Sequence, residues 1–198
     1  MPRRSREETA ETRSTIVEEA VDVASLNGLE GLTIGTLADT VGMSKSGLIR
    51  HFGSKEGLQL ATLEAAIARF RAEVWEPVAG EEPGLTRLRA TCASWLSYLR
   101  RGVFPGGCFL SSASLEFDDR PGPVRDEVAA AMERWLRVLA SDAEIARDAG
   151  ELPAGTDPGQ LAFELNAIFM GANWASRLLR DDAAFDRAER AFDRLLGD

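Results

Sequence analysis

The segment "LTIGTLADTVGMSKSGLIRHFGSKEGL", residues 32–58, decides the fold. It holds the chain's only histidine, His51, and its only two lysines, Lys45 and Lys55; every other cation is an arginine. Thr33, Ser44 and Ser54 each precede a run with helical spacing, and Gly42 and Gly53 follow the first two runs. Hydroxyls so placed accept from the unpaired N–H groups of a first helical turn, and glycine takes the positive φ that ends a helix. The spacing therefore predicts helices over "IGTLADT", "KSGLIRH" and "KEGLQLATLEAAIARFRAEVW". A tight turn between the first two needs glycine in the turn and a small residue one turn earlier, which Gly42 and Ala38 supply. Leu37, Val41, Met43 and Leu48 then set the crossing, and Lys45, Ser46, Arg50 and His51 face outward. This is a helix-turn-helix pattern. Its second helix, about seven residues and roughly 10 Å long, suits insertion of its N-terminal half into a major groove.

Outward from this segment the pattern stays helical. Apolar spacings of three and four recur, and no alternating β-branched run appears, so the fold class is all-α. A first helix is expected over Glu8–Asn27, with Gly28 as its stop; Arg3, Arg4 and Arg6 in residues 1–7 form an arginine-rich, flexible arm. Past Glu76, "PVAGEEPG" breaks the pattern. A bundle follows, with stripes at Leu85, Leu88, Cys92, Trp95 and Leu99 and at Val124, Val128, Met132, Trp135 and Leu139. Between them, "RRGVFPGGCFLSSASLEFDDRPG" reads as a loop with a short helix around Leu110–Glu116. The domains expected are a three-helix DNA-binding head over 1–55, joined by a long helix to a helical bundle over 56–198.

Composition bounds the function. The 198 residues are 44% hydrophobic and 28% charged, enough to bury a core. No apolar run approaches the roughly eighteen residues of a membrane span, and the arginine-rich start runs into acids, so a cytoplasmic location is expected. Cys92 and Cys108 have no CxxC pairing and no neighbouring histidine, which suggests neither a disulfide framework nor a metal site. The net charge of −9 argues against a protein that coats nucleic acid with its whole surface. Locally the balance differs: residues 1–55 hold seven basic and eight acidic side chains, net −1, and residues 56–198 hold sixteen and twenty-four, net −8. An anionic partner would be met at the front, where Lys45, Thr33, Ser44, Ser46 and Lys55 can donate to phosphates or bases. The bundle lacks histidine and lysine, removing the usual general base and Schiff-base nucleophile, so an enzyme is disfavoured.

With its caps, glycines and cations in this order, the segment over residues 32–58 resembles the DNA-binding domain of the TetR family of bacterial transcriptional regulators. The likeness extends in motif detail over about residues 10–60. It implies Thr33 as cap and phosphate contact, Ser44, Lys45, Ser46 and Gly47 at the reading positions, His51 and Phe52 closing the helix, and Lys55 on the DNA backbone. Where the family commonly has a phosphate-binding tyrosine, this chain has Ile49, and the adjacent Arg50 is the candidate substitute. The resemblance also implies a repressor on a palindromic operator and a small-molecule effector, with no cofactor. The effector pocket would lie inside the bundle, with lining candidates Trp95, Tyr98, Leu99, Phe104, Phe109, Trp135, Phe163, Asn166, Phe169, Met170, Asn173 and Trp174.

The segment "GQLAFELNAIFMGANWASRLL" carries two apolar stripes, and one bundle core cannot use both. One is expected to pair with a second copy of the chain: Leu161, Leu165, Ile168, Ala172, Ala175 and Leu179, joined by Phe185 and Phe192 of the last helix. The second runs through Phe163, Met170 and Trp174. An alternative that keeps the helices but not the DNA is a protein-binding adaptor, to which Ile49 lends some support.

Overall fold

The computed structural model describes the backbone of residues 2–197 and the side chains of residues 10–197. Among the described residues it contains nine α-helices, a π-helical segment and no strand. The helices are α1 Pro2–Asn27, α2 Ile34–Thr40, α3 Lys45–Phe52, α4 Lys55–Phe70, α5 Leu85–Arg100, α6 Phe109–Glu116, α7 Pro123–Asp148, α8 Pro158–Leu178 and α9 Ala184–Leu196. Within them no span is long and apolar enough to cross a membrane.

The local signals account for the boundaries of the head. Thr33 accepts from the Thr36 N–H, Ser44 from the Gly47 N–H and Ser54 from the Gly57 N–H, at 3.0, 3.1 and 3.0 Å. Gly42 and Gly53 sit at φ +67° and +77°, conformations that L side chains adopt rarely. Two expectations move. Helix α1 begins at Pro2 rather than Glu8, because proline is well placed in a first turn and nothing before Glu8 breaks the helix. The side chains of Arg3, Arg4 and Arg6 lie outside the described residues. The long helix expected to run through Trp75 is α-helical only to Phe70 and winds as a π-helix over Arg71–Trp75. Such a segment leaves carbonyls offset from their usual donors. The Ser94 hydroxyl donates to the Val74 carbonyl at 2.9 Å, and Arg101 pairs with Glu73 at 2.6 Å.

By contact the chain divides into two compact units, Met1–Ala68 with Phe104–Ala129, and Arg69–Val103 with Ala130–Asp198. In the first, α1 packs on α2 and α2 on α3 around Ile16, Ala20, Leu37, Ala38, Leu48 and Leu58, all buried. Helix α6 belongs to this unit. Its Glu116 carboxylate accepts the N–H groups of Leu29 and Glu30 at 2.8 and 3.0 Å, just past the end of α1. Gly106, in the loop before α6, donates to the Ser25 hydroxyl at 3.1 Å, and a Cβ there would overlap the Ser25 carbonyl. That close approach requires glycine.

In the second unit α5 packs against the π segment, α8 and α9, and α8 packs along α9. Leu161, Leu165, Phe169 and Ala172 of α8 and Ala184, Ala188, Phe192 and Leu196 of α9 are all buried. Asp142 of α7, 1% exposed, is clamped bidentately by Arg87 of α5 at 2.6 and 2.9 Å. Burying a carboxylate is costly unless it is paired and hydrogen-bonded.

Candidate nucleic-acid interface and bundle core

The turn of the head is built so that cations and hydroxyls stand clear of the core. Leu37, Leu48 and Phe52 are buried, whereas Thr33, Ser44, Lys45, Ser46 and Arg50 are exposed and His51 and Gly47 half-buried. Lys45 of α3 reaches over Gly35, in the first turn of α2. A Cβ at that position would stand 3.4 Å from the Lys45 Nζ and 3.7 Å from the Thr33 Oγ1. The ammonium of α3 therefore lies beside the cap of α2, two donors side by side on one face. Ser44 and Ser46 hydroxyls meet at 3.2 Å at the start of α3. An anion here would find hydroxyls, an ammonium and the N-terminal N–H groups of the helix. Ile49 is 44% exposed on this surface, an apolar side chain among donors.

Lys55 behaves differently from the others. Its ammonium donates to the Glu30 carbonyl at 2.8 Å and to the Glu30 carboxylate at 2.7 Å. Gln59 donates to the same carboxylate and to the Leu29 carbonyl, both at 3.0 Å. The bonds from Lys55 and then Gln59 hold the Glu30 carboxyl below its ordinary range. Lys55 is thus a strut between α4 and the α1–α2 turn. Sequence reading missed this network around Glu30, Lys55, Gln59 and Glu116, because its hydrogen bonds join positions 25 to 87 residues apart. Gly57 completes the joint: a Cβ there would overlap the Phe52 carbonyl oxygen.

The bundle core gathers part of the expected lining. Trp95 stacks on Phe169 with ring centroids 3.6 Å apart and meets Trp135 edge-on at 4.9 Å. Phe70 meets Tyr98 at 5.5 Å and Trp135 at 5.0 Å, also edge-on. Leu99 is buried, and Asn166, Met170 and Asn173 are half-buried. Phe70 was not foreseen, since its place at the junction of α4 and the π segment is visible only once the helix changes its winding. Phe104 and Phe109 belong to the first unit, where they pack on each other at 5.7 Å.

The two stripes of α8 differ in burial. Leu161, Leu165, Ala172 and, on α9, Phe192 are buried within the chain, so they are core rather than a surface for a second copy; Ile168, Ala175 and Phe185 are half-buried. Of that set only Leu179 is exposed, at the helix end. The reason is α9: its apolar side is complementary to this stripe and lies directly on it. Phe163 and Trp174, expected in a pocket, are instead 62% and 54% exposed, with Leu178 on the same stripe at 67%.

Comparison with known proteins agrees with this construction. Residues 16–62 match the family model described as bacterial regulatory proteins, tetR family, and residues 84–192 match the tetracyclin repressor-like C-terminal domain. The chain belongs to the TetR family. As a TetR-family protein it is a DNA-binding transcriptional regulator with a helix-turn-helix head. It is similar to the HTH-type transcriptional repressor ComR of Escherichia coli K12, 24% identical over 83% of this chain and 79% of ComR. A TetR transcriptional regulator from Chloroflexus aurantiacus superposes with a TM-score of 0.86 at 26% identity, covering 93% of each chain. AibR, solved with isovaleryl coenzyme A and operator DNA, superposes with a TM-score of 0.75 at 21% identity, covering 93% of this chain and 97% of AibR. At that identity the likeness is one of fold.

Proposed function

We propose that this TetR-family chain is a homodimeric repressor. Residues 1–55 read a palindromic operator in double-stranded DNA; residues 56–198 pair two copies and bind a small, largely apolar effector that releases it. The observation that carries this reading is the exposed set of Thr33, Ser44, Lys45, Ser46 and Arg50 on two capped helices short enough for a major groove. Lys45 and the serines are donors for phosphates and guanine edges, and the exposed Ile49 suits the C5-methyl of thymine. One such helix reads only a few base pairs, so two copies a helical turn apart are needed for selectivity.

The support for pairing is the exposed apolar stripe of Phe163, Trp174 and Leu178, which a soluble monomer rarely presents. The name of ComR supports repression, and AibR, held with both a ligand and operator DNA, supports an effector. The effector acts by preferring a conformation in which the two heads are wrongly spaced, with α4 as the covalent path between ligand and head.

The test compares the parent chain with Lys45→Ala on a palindromic site selected from random duplex DNA. A dimer loses the contact twice, so affinity falls about 100-fold. Equal retention by both would contradict the reading and leave a protein-binding adaptor.

A further inference from the structure

The aromatic core of the second unit contains polar atoms that nothing among the described residues satisfies. The indole N–H groups of Trp95 and Trp135, the Thr91 hydroxyl and the Asn166 amide oxygen are buried without a hydrogen-bond partner. Thr91, Trp95 and Trp135 are 1%, 2% and 7% exposed. The Asn166 amide nitrogen has only the Met170 sulfur, a weak acceptor, at 3.4 Å. Buried polar groups are nearly always paired, because leaving a donor dry is costly. Here several orphans occur together. Thr91 lies one turn before Trp95 on α5, the two tryptophans touch, and Asn166 lies one turn before Phe169, which stacks on Trp95.

The chemistry of the orphans defines what would satisfy them. An indole N–H only donates, so its partner must offer an acceptor. Among the described residues the one buried charged side chain is Asp142, already clamped by Arg87, and the sequence has no histidine or lysine beyond residue 55. A carboxylate or phosphate among these rings would find no fully buried cation among the described residues. The side chains around the orphans are flat rings, which favour a flat apolar body. We propose that the Trp95–Trp135–Asn166 cluster is the effector site, and that its ligand is an uncharged, planar molecule carrying a carbonyl-type acceptor for the indole N–H groups.

This inference rests on the repressor reading only for the consequence of binding. Phe70 meets Trp95, Tyr98 and Trp135, and the π segment starts at the next residue. A ligand that parts these rings moves Phe70 first. Single-turn π segments are frequent at functional sites, and this one places the deformable part of the long helix at the sensing rings.

The test uses the full chain with its four tryptophans labelled at the indole nitrogen, followed by NMR. Three probes of similar size are titrated: acetophenone, ethylbenzene and benzoate. Acetophenone is expected to shift the Trp95 and Trp135 N–H signals and to bind about tenfold more tightly than the other two, the effect of one buried hydrogen bond. Trp135→Phe keeps a ring but removes the donor. It is expected to lower acetophenone affinity about tenfold, to leave ethylbenzene affinity unchanged and to leave the thermal midpoint unreduced. Ethylbenzene or benzoate matching acetophenone, shifts confined to Trp75 and Trp174, or no acetophenone binding up to its solubility would each overturn the ligand class. Operator retention by the same sample separates the two readings. A chain that holds the palindrome without preferring acetophenone keeps the repressor and loses this ligand class; one that prefers acetophenone without holding DNA does the reverse.

Discussion

Helices α2 and α3 span seven and eight residues, whereas α7 and α8 span 26 and 21. Helices as short as the first pair do not persist alone, so each depends on a hydroxyl cap, a glycine stop and two buried apolar side chains, one of them a leucine. Their polar side chains are then available as donors. The long helices depend on stripes of apolar side chains, and their polar groups matter only where they are caught inside. The head keeps its donors in water for a partner, and the bundle traps Trp95 and Trp135 with theirs unmet. The proposed regulation would use both: a surface that binds a polyanion and an interior that gains from a small neutral guest.

The largest effects are expected on α8. Leu165→Glu places a charge at a fully buried position and is expected to cost more than about 4 kcal/mol, enough to prevent folding, as measured by circular dichroism. Phe163→Glu together with Trp174→Glu leaves the monomer's fold and thermal midpoint unchanged but weakens self-association about 100-fold or more, read by analytical ultracentrifugation. The reverse outcome would restore Leu161 and Leu165 to a subunit interface. In the head, Gly57→Ala pushes a methyl into the Phe52 carbonyl and is expected to cost ~2–3 kcal/mol in denaturant titration.

The acid limb of stability gives a smaller effect. Glu30 is held below its ordinary carboxyl range by Lys55 and Gln59, so its contribution is complete above its usual pKa of 4.5 and is lost as pH falls below it. Glu30→Gln is therefore expected to flatten the acid side of the stability curve and leave the neutral side nearly parallel. The smallest effect concerns Cys92, whose thiol burial pushes up to about 12. Iodoacetamide at neutral pH is expected to leave it unmodified in the native chain, as mass spectrometry would report.

The head was legible in the sequence because its signals are local. Thr33, Ser44 and Ser54 cap residues three positions on, and Gly42 and Gly53 act on their own backbone. The bundle was legible in its periodicity but not in its orientation. Both stripes of α8 have the spacing of a buried face, and the choice between them falls to α9, more than a turn of chain away, whose Ala184, Ala188 and Phe192 fit the Leu161–Ala172 side. The π segment after Phe70 leaves no composition signal, since it arises from packing against α5. The tie of Lys55 to Glu30 was hidden for the same reason: a cation at a helix start reads as an anion site until a carboxylate from another element reaches it.

DNA reading by the head is best measured by titrating the purified chain with the duplex upstream of its own gene across a range of salt concentrations. A dimer is expected to protect a palindrome, with affinity falling steeply as salt rises because Lys45, Arg50 and the helix starts displace counterions from phosphates. Binding that is weak, indifferent to sequence, or achieved by a monomer would contradict it.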